Sequence, residues 1–89
     1  MAYRIFDVKI AKVEASRLVI KRKRVKENKV KYLKTAFVVN NQTLITDKDN
    51  HTVTLLDIKV GSRVTIDFIK TQDRKLLAKG INALRSVYK

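Results

Sequence analysis

The segment Arg17–Lys34 concentrates positive charge where the surrounding sequence has the pattern of β-strands. It holds nine of the chain's 21 Lys and Arg residues and a single acid, Glu27. Lys21–Arg24 are four consecutive cations, and on a strand they point alternately to both faces. Neither face can then be buried, so the strand must leave the core here or lie at a sheet edge. Apolar alternation stops at Ile20 and resumes near Leu33, which predicts a protruding basic β-hairpin between them.

The first predicted strand is Arg4–Val13, where apolar and polar residues alternate. Phe6, Val8 and Ile10 share one face of this strand and are expected to point into the core. The sequence Ala11–Val13 shifts the alternation, as a β-bulge does.

Five further segments are predicted as strands, separated by polar residues or glycine. The strand after the basic turn is expected to bury Phe37. The last strand is expected to bury Leu77, Ile81 and Leu84, and Gly61 to redirect the chain with a positive φ. The predicted segments are Leu18–Ile20 running on into the basic residues, Leu33–Val39, Thr43–Thr46, Arg63–Lys70 and Lys75–Leu84, with a 3₁₀ turn near Leu55–Ile58.

These strands predict an all-β fold, a small antiparallel barrel of five or six strands with a protruding basic hairpin. Barrel closure removes the exposed edges of a sheet, and OB-like closure is expected, with SH3-like closure as the alternative. The chain has 89 residues, no proline and two glycines, so no linker divides it. We therefore expect a single domain over residues 1–89.

Two later segments, Thr54–Phe68 and Lys75–Leu84, resemble a bacterial family of small OB-like β-barrel domains of unknown function (DUF5666-like). The family pattern is Leu-x-Asp-Leu-Lys-Val-Gly-Asp-x-Val-x-Val, with a closing strand of the type Leu-x-Ala-x-x-Ile. The resemblance implies a barrel fold and no particular activity. The basic hairpin departs from the family, whose first hairpin is short and glycine-rich. The matching residues are Leu55, Asp57, Ile58, Lys59, Val60, Gly61, Val64, Ile66, Leu77, Ala78 and Ile81.

The charge balance predicts a polyanionic partner. The formal net charge is +13 and the pI is about 10.4, the electrostatic footprint of a nucleic-acid-binding domain. Like charges at this density weaken the compact state, and a bound polyanion would relieve the repulsion. DNA or RNA is the expected partner. The alternative is a structural or protein-interaction domain whose basic arm contacts an acidic protein or an anionic membrane surface.

The binding residues are predicted on the basic hairpin. Lys21, Lys23 and Arg24 are expected to share one face of the ribbon. Lys29 and Lys31 are expected to lie opposite them, so that the five cations form one stripe along a phosphate backbone. The predicted nucleic-acid-binding residues are Arg17, Lys21, Arg22, Lys23, Arg24, Lys26, Lys29, Lys31, Tyr32 and Lys34.

Aromatic residues are too few to predict a base-stacking platform. The chain has three Tyr and three Phe, and Phe6, Phe37 and Phe68 are expected in the core. We expect Tyr32 to pack on the barrel rim rather than to stack on a base. Binding led by phosphate contacts, with weak sequence specificity, is therefore predicted.

The sequence lacks the clusters that an enzyme or a metal centre requires. There is no cysteine, and the one histidine, His51, lies in a polar turn. Asp47 and Asp49 are not followed by the glycine and the bidentate glutamate of a calcium loop. We therefore expect no catalytic activity, no cofactor, no metal and no small-molecule substrate.

The N-terminal sequence predicts a cytoplasmic location, provided that the chain begins at its natural Met1. It has no apolar stretch and cleavage site of the kind found in signal peptides. No apolar run approaches the length of a membrane span. The sequence does not predict an oligomeric state.

Overall fold

The computed structural model describes residues 2–84, and its regular structure is almost entirely β-strand. The prediction of an all-β barrel with a protruding hairpin is confirmed. A 3₁₀ turn at Leu55–Asp57 precedes the fifth strand, as expected. The strands are β1 (Ala2–Val13), β2 (Arg17–Lys26), β3 (Lys29–Val38), β4 (Leu44–Thr46), β5 (Arg63–Lys70) and β6 (Leu76–Ala83).

Five of the strands form a closed ring. β1 pairs antiparallel with both β2 and β5, β2 with β3, and β5 with β6. A parallel contact between Val38 of β3 and Leu77 of β6 completes the ring. The short β4 runs parallel to β6 further along the same edge. A small, partly open barrel of this kind is OB-like.

The barrel interior is filled by the alternate apolar residues of the strands. Leu18, Ile20, Val64 and Ile66 have no measurable exposure, and Phe37 is 1% exposed. These side chains lie on one face of each strand because successive residues point to opposite sides. The same alternation directs the intervening residues outward, which decides where the cations of the barrel wall lie.

The prediction that Phe6 is a core residue is wrong. Its side chain is 67% exposed, although Val8 and Ile10 on the same strand are buried as expected. The cause is a bulge at Asp7, which has a φ of 51° and shifts the pairing of β1 with β5 between Ile5 and Val8. Ile5 takes the inward position instead and packs against the core.

The inward residues of β6 also differ from the prediction. Ile81 is buried, but Leu84 is 40% exposed, and the small Ala78 and Ala83 lie in the core. The pairing with β5 skips one residue between Ala78 and Gly80, so a bulge interrupts the alternation here. Two predicted bulges are confirmed. One lies beside Gly80 of β6, and the other lies between Ile10 and Lys12 of β1.

The loops between strands follow their turn residues. Gly61 has a φ of 91°, as predicted, and its backbone N–H donates to the carbonyl of Ile10 at 2.8 Å. That bond ties the turn before β5 to β1. Within residues 2–84, no helix is long and apolar enough to cross a membrane.

Candidate functional site

The basic hairpin projects beyond the hydrophobic core. Ile20, the last buried residue of β2, lies opposite Thr35 of β3, and from Lys21 to Lys34 every side chain is exposed. Glu27 and Asn28 form the turn with φ values of 54° and 63°. Positive φ at both central residues is the type I′ geometry, which matches the twist of a two-residue hairpin.

The register of β2 and β3 divides the hairpin into two faces. Lys21 lies opposite Lys34, and Lys23 lies opposite Tyr32. We define the outer face as these four residues with Val25 and Val30. The inner face continues the direction of the buried residues Leu18 and Ile20. It consists of Arg22, Arg24, Lys26, Lys29, Lys31 and Leu33.

The predicted single stripe of five cations is therefore wrong. Lys21 and Lys23 lie on the outer face, whereas Arg24, Lys29 and Lys31 lie on the inner face. The reason is the two-residue period of a strand, which places neighbouring residues on opposite sides. The hairpin offers two separate basic surfaces instead of one.

Arg17, also a predicted binding residue, lies at the base of the hairpin and already has an acidic partner. Its Nε and Nη2 donate to the two carboxylate oxygens of Glu14 at 2.8 and 3.0 Å. Lys12 lies 2.9 Å from the same carboxylate. The hydrogen bonds from Arg17 and Lys12 lower the pKa of Glu14 to about 2, and the Glu14 hydrogen bond raises the pKa of Arg17.

The cations from Lys21 to Lys34 have no acidic partner among residues 2–84. The ion pairs among residues 2–84 all lie outside the segment Lys21–Lys34, and Glu27 at the turn takes part in none of them. They connect Arg4 with Asp67, Lys12 and Arg17 with Glu14, His51 with Asp47, Arg63 with Asp7, and Lys75 with Asp73. No acidic side chain among the described residues 2–84 therefore compensates the positive charge of these cations.

Two cations outside the predicted set align with the outer face. Lys9 of β1 lies opposite Lys21 on one side and opposite Arg63 of β5 on the other. Lys9 points outward because its neighbours Val8 and Ile10 are buried. Strand alternation in the sequence indicates the outward direction of these two side chains. Their alignment with Lys21 depends on pairing between distant strands, which the sequence pattern does not specify.

A groove of about 510 Å³ lies where β1 meets the base of the hairpin. Its lining includes Lys9, Lys21, Lys23, Tyr32 and Arg63. Tyr32 is 57% exposed, so more than half of its surface faces solvent. The ammonium of Lys21 lies 4.2 Å from the centre of this ring, in cation–π contact.

Among the described residues that line this groove, Asp7 is the one acid. Its Oδ1 lies 3.2 Å from Nη1 of Arg63, and the same guanidinium nitrogen donates to the Asp7 carbonyl at 3.3 Å. Both side chains are more than half exposed. The bulge that turns Phe6 outward therefore also places an acid beside a cation of the barrel wall.

Asp47, Asp49 and His51 bring ligand atoms within 4.8 Å of one another. The Asp47 carboxylate is fully buried and accepts hydrogen bonds from the backbone N–H groups of Asp49 and His51 at 2.9 and 3.0 Å. His51 Nδ1 lies 3.4 Å from its second oxygen. This geometry gives the carboxylate a turn-forming role, which is sufficient reason for its burial.

Comparisons with protein-family models, curated proteins and solved structures yield no match to this chain. The resemblance to the barrel family of unknown function stays a prediction based on the segments after Thr54.

Proposed function

We propose that this protein is a non-enzymatic module that binds DNA or RNA through phosphate contacts from its basic hairpin. One observation carries the proposal. All side chains from Lys21 to Lys34 are exposed, and the cations among them have no acidic partner within residues 2–84. A polyanion supplies the missing negative charge.

Without such a partner, the cations on the two strands of the hairpin repel one another. Lys21 lies opposite Lys34, Arg24 opposite Lys31, and Lys26 opposite Lys29. Directly opposed like charges destabilise a strand pair by roughly 0.2–1 kcal/mol each. Phosphates bound between these cations would convert the repulsion into attraction, so folding of the hairpin and anion binding favour each other.

The position of the hairpin in the fold also supports a nucleic-acid ligand. OB-fold barrels bind oligonucleotides on the face of their second and third strands, and here these two strands form the basic hairpin. Lys and Arg at this density favour phosphate over neutral ligands. Contacts to phosphates alone do not read bases, which accounts for the weak sequence specificity proposed here.

An anionic membrane surface is the second candidate. Val25 and Val30 lie opposite each other near the turn and are 63% and 51% exposed. Apolar residues next to cations are found where proteins enter the headgroup region of anionic bilayers. Two valines bury too little apolar surface to carry such binding, so charge would dominate this alternative as well.

Fluorescence anisotropy across a salt series tests the proposal. The probes are labelled single-stranded DNA, single-stranded RNA, duplex DNA, an acidic peptide and vesicles containing anionic lipid. If about five phosphates are neutralised, log K falls against log salt with a slope of about −4.5 on duplex DNA or about −3.5 on single strands. A higher affinity for nucleic acid than for the acidic peptide and the vesicles supports the proposal. No detectable binding of nucleic acid at low salt contradicts it.

A charge-reversal variant identifies the surface that binds. The triple variant Lys21→Glu, Lys23→Glu and Lys31→Glu is expected to lose nucleic-acid binding and to keep its fold, because all three side chains are exposed. The matched control reverses three exposed lysines outside the hairpin. They are Lys48, Lys70 and Lys79. Equal loss in both variants would assign binding to net charge alone and would contradict a hairpin site.

A further inference from the structure

Four cations form a row across four neighbouring strands. The pairing runs from Lys34 of β3 to Lys21 of β2, then to Lys9 of β1 and Arg63 of β5. Adjacent strands lie about 4.8 Å apart, so the row spans about 14 Å perpendicular to the strands. We call these four residues the cation row. It begins on the hairpin and ends on the barrel wall.

All four members of the cation row point away from the barrel interior. Lys21, Lys9 and Arg63 are each next to a buried residue in the sequence, and Lys34 lies opposite Lys21. Ile20 precedes Lys21, Val8 precedes Lys9 and Val64 follows Arg63, and these apolar side chains are almost fully buried. The cations therefore face solvent on one continuous surface, because strand alternation applies to each strand in the same register.

Tyr32 lies beside this row. It occupies the position opposite Lys23, and Lys21 Nζ lies over its ring at 4.2 Å. Its ring is more than half exposed and lines the same groove as Lys9 and Arg63. A groove of about 510 Å³ is within the size range of small-ligand sites, so it is large enough for a single nucleotide unit.

We propose that the cation row is the track of a single-stranded nucleic acid that crosses the strands and stacks one base on Tyr32. The inference rests on the proposed nucleic-acid function and specifies its ligand and path. Phosphates lie along Lys34, Lys21, Lys9 and Arg63, and a base enters the groove. The track leaves the hairpin at Lys21 and continues across the barrel wall through Lys9 and Arg63.

The exposed ring of Tyr32 favours a single-stranded nucleic acid over a duplex. In a duplex the bases are stacked inside, and a ring next to phosphate-binding lysines reaches one only if the base is flipped out. In a single strand the base faces are free, and stacking on an aromatic side chain is favourable for every base. A row of about 14 Å suits a site of about 4 nucleotides, at the short end for OB folds.

Two exposed lysines outside the hairpin and the row, Lys48 and Lys79, provide the matched comparison. The variant Lys9→Gln with Arg63→Gln removes two charges from the row without changing the hairpin. The control Lys48→Gln with Lys79→Gln removes two charges from the surface without changing the row or the hairpin. Each pair changes the net charge equally, and all four side chains are exposed.

Binding of labelled oligo(dT) and oligo(U), each of about 15 nucleotides, tests the track by anisotropy. The Lys9/Arg63 variant is expected to lose about tenfold in affinity and to lower the salt slope by about 1.4, because two phosphate contacts are lost. The Lys48/Lys79 control is expected to stay within about threefold. Lys9→Gln alone, which leaves the Arg63–Asp7 contact intact, is expected to lower the slope by about 0.7.

Substitution of Tyr32 tests the stacking. Tyr32→Ala is expected to weaken single-strand binding by about 5- to 150-fold and to leave duplex binding unchanged, whereas Tyr32→Phe retains the affinity. Equal affinities of wild type and Tyr32→Ala, or a loss in the Lys48/Lys79 control as large as that in the Lys9/Arg63 variant, would overturn the track and leave the proposed function intact. Failure of the wild type to bind any nucleic acid would instead overturn the proposed function.

Discussion

Asp7 Oδ1 lies 3.2 Å from Nη1 of Arg63, so the acid of the groove forms an exposed ion pair with the cation at the end of the row. The contact exists because the β1 bulge turns the chain at Asp7, where φ is 51°. Aspartate and asparagine adopt this left-handed conformation more readily than most residues. The bulge thus sets both the outward direction of Phe6 and the charge of the groove.

Replacement of Asp7 by asparagine is expected to increase nucleic-acid affinity by about 1.4- to fivefold. The change removes a negative charge from the proposed phosphate path and frees Arg63, and an exposed charge interaction of this kind is worth about 0.2–1 kcal/mol. Asparagine retains the left-handed backbone, so the bulge is kept. Anisotropy with oligo(dT) at low salt measures the change.

The control for this prediction is Asp49→Asn, which changes the net charge equally at an exposed turn residue outside the groove. It is expected to alter the affinity by less than the Asp7 variant does. If both variants bind more tightly to the same extent, the effect comes from net charge. If the Asp7 variant binds more weakly, its carboxylate does not face the phosphates.

The strands were predictable because alternation is a local property of the sequence. The bounds predicted for Arg63–Lys70 are those of β5, and the positive φ predicted for Gly61 is observed. The bulge at Asp7 was not predictable, because an aspartate in a polar position gives no sign of the φ it adopts. One unrecognised bulge reverses every inward and outward assignment on one side of it. That is why Phe6 was misplaced.

The site was predictable in part for the same reason. A run of cations that cannot be buried identifies the hairpin, and nine of the ten predicted binding residues lie on its protruding part. Lys9 and Arg63 were missed because they are far from the hairpin in sequence and become neighbours of Lys21 only through strand pairing. Register between distant strands follows from the packing of the whole barrel.

The placement of Phe6 has a direct consequence for stability. Phe6→Ala is expected to change the free energy of unfolding by no more than about 0.5 kcal/mol, because the ring is mostly exposed. Phe37→Ala is expected to cost about 3–5 kcal/mol, since Phe37 is buried and its ring packs edge-on against Phe68 at 5.0 Å. Urea unfolding of both variants measures the difference. A comparable loss in the Phe6 variant would place its ring in the core.

The buried carboxylate of Asp47 is expected to make stability depend on acid pH. Burial by itself would raise the pKa of this group. The hydrogen bonds from the backbone of His51 and Asp49, with the His51 side chain, outweigh burial and hold the pKa below its usual value. A carboxyl group with a lowered folded-state pKa stabilises the protein above its unfolded pKa, near 4, and this stabilisation is lost as the pH falls further.

Asp47→Asn removes this titration while keeping one oxygen for the backbone N–H groups. Its stability is therefore expected to fall less steeply than that of the wild type below about pH 4. Asp47→Ala leaves the two N–H groups without their acceptor and is expected to lower Tm by about 5 °C or more at neutral pH. Urea unfolding at several pH values compares the wild type and the asparagine variant, and parallel pH profiles would exclude the proposed contribution.

The turn of the basic hairpin is expected to control local order without affecting global stability. Asn28 has a φ of 63°, which a β-branched residue adopts only with strain, so Asn28→Val is expected to favour opening of the hairpin by about 1–2 kcal/mol. Amide exchange should accelerate by about 5- to 30-fold in Lys21–Lys34 and stay unchanged in β5, because the protruding residues add nothing to the core. Asn28→Gly accepts this φ and is expected to exchange like the wild type.

Nucleic-acid affinity should fall in the valine variant alone, since the two opposed strands hold Lys21 and Tyr32 in the arrangement proposed to bind. A fall in global unfolding free energy as large as the local effect would show instead that the hairpin unfolds together with the barrel.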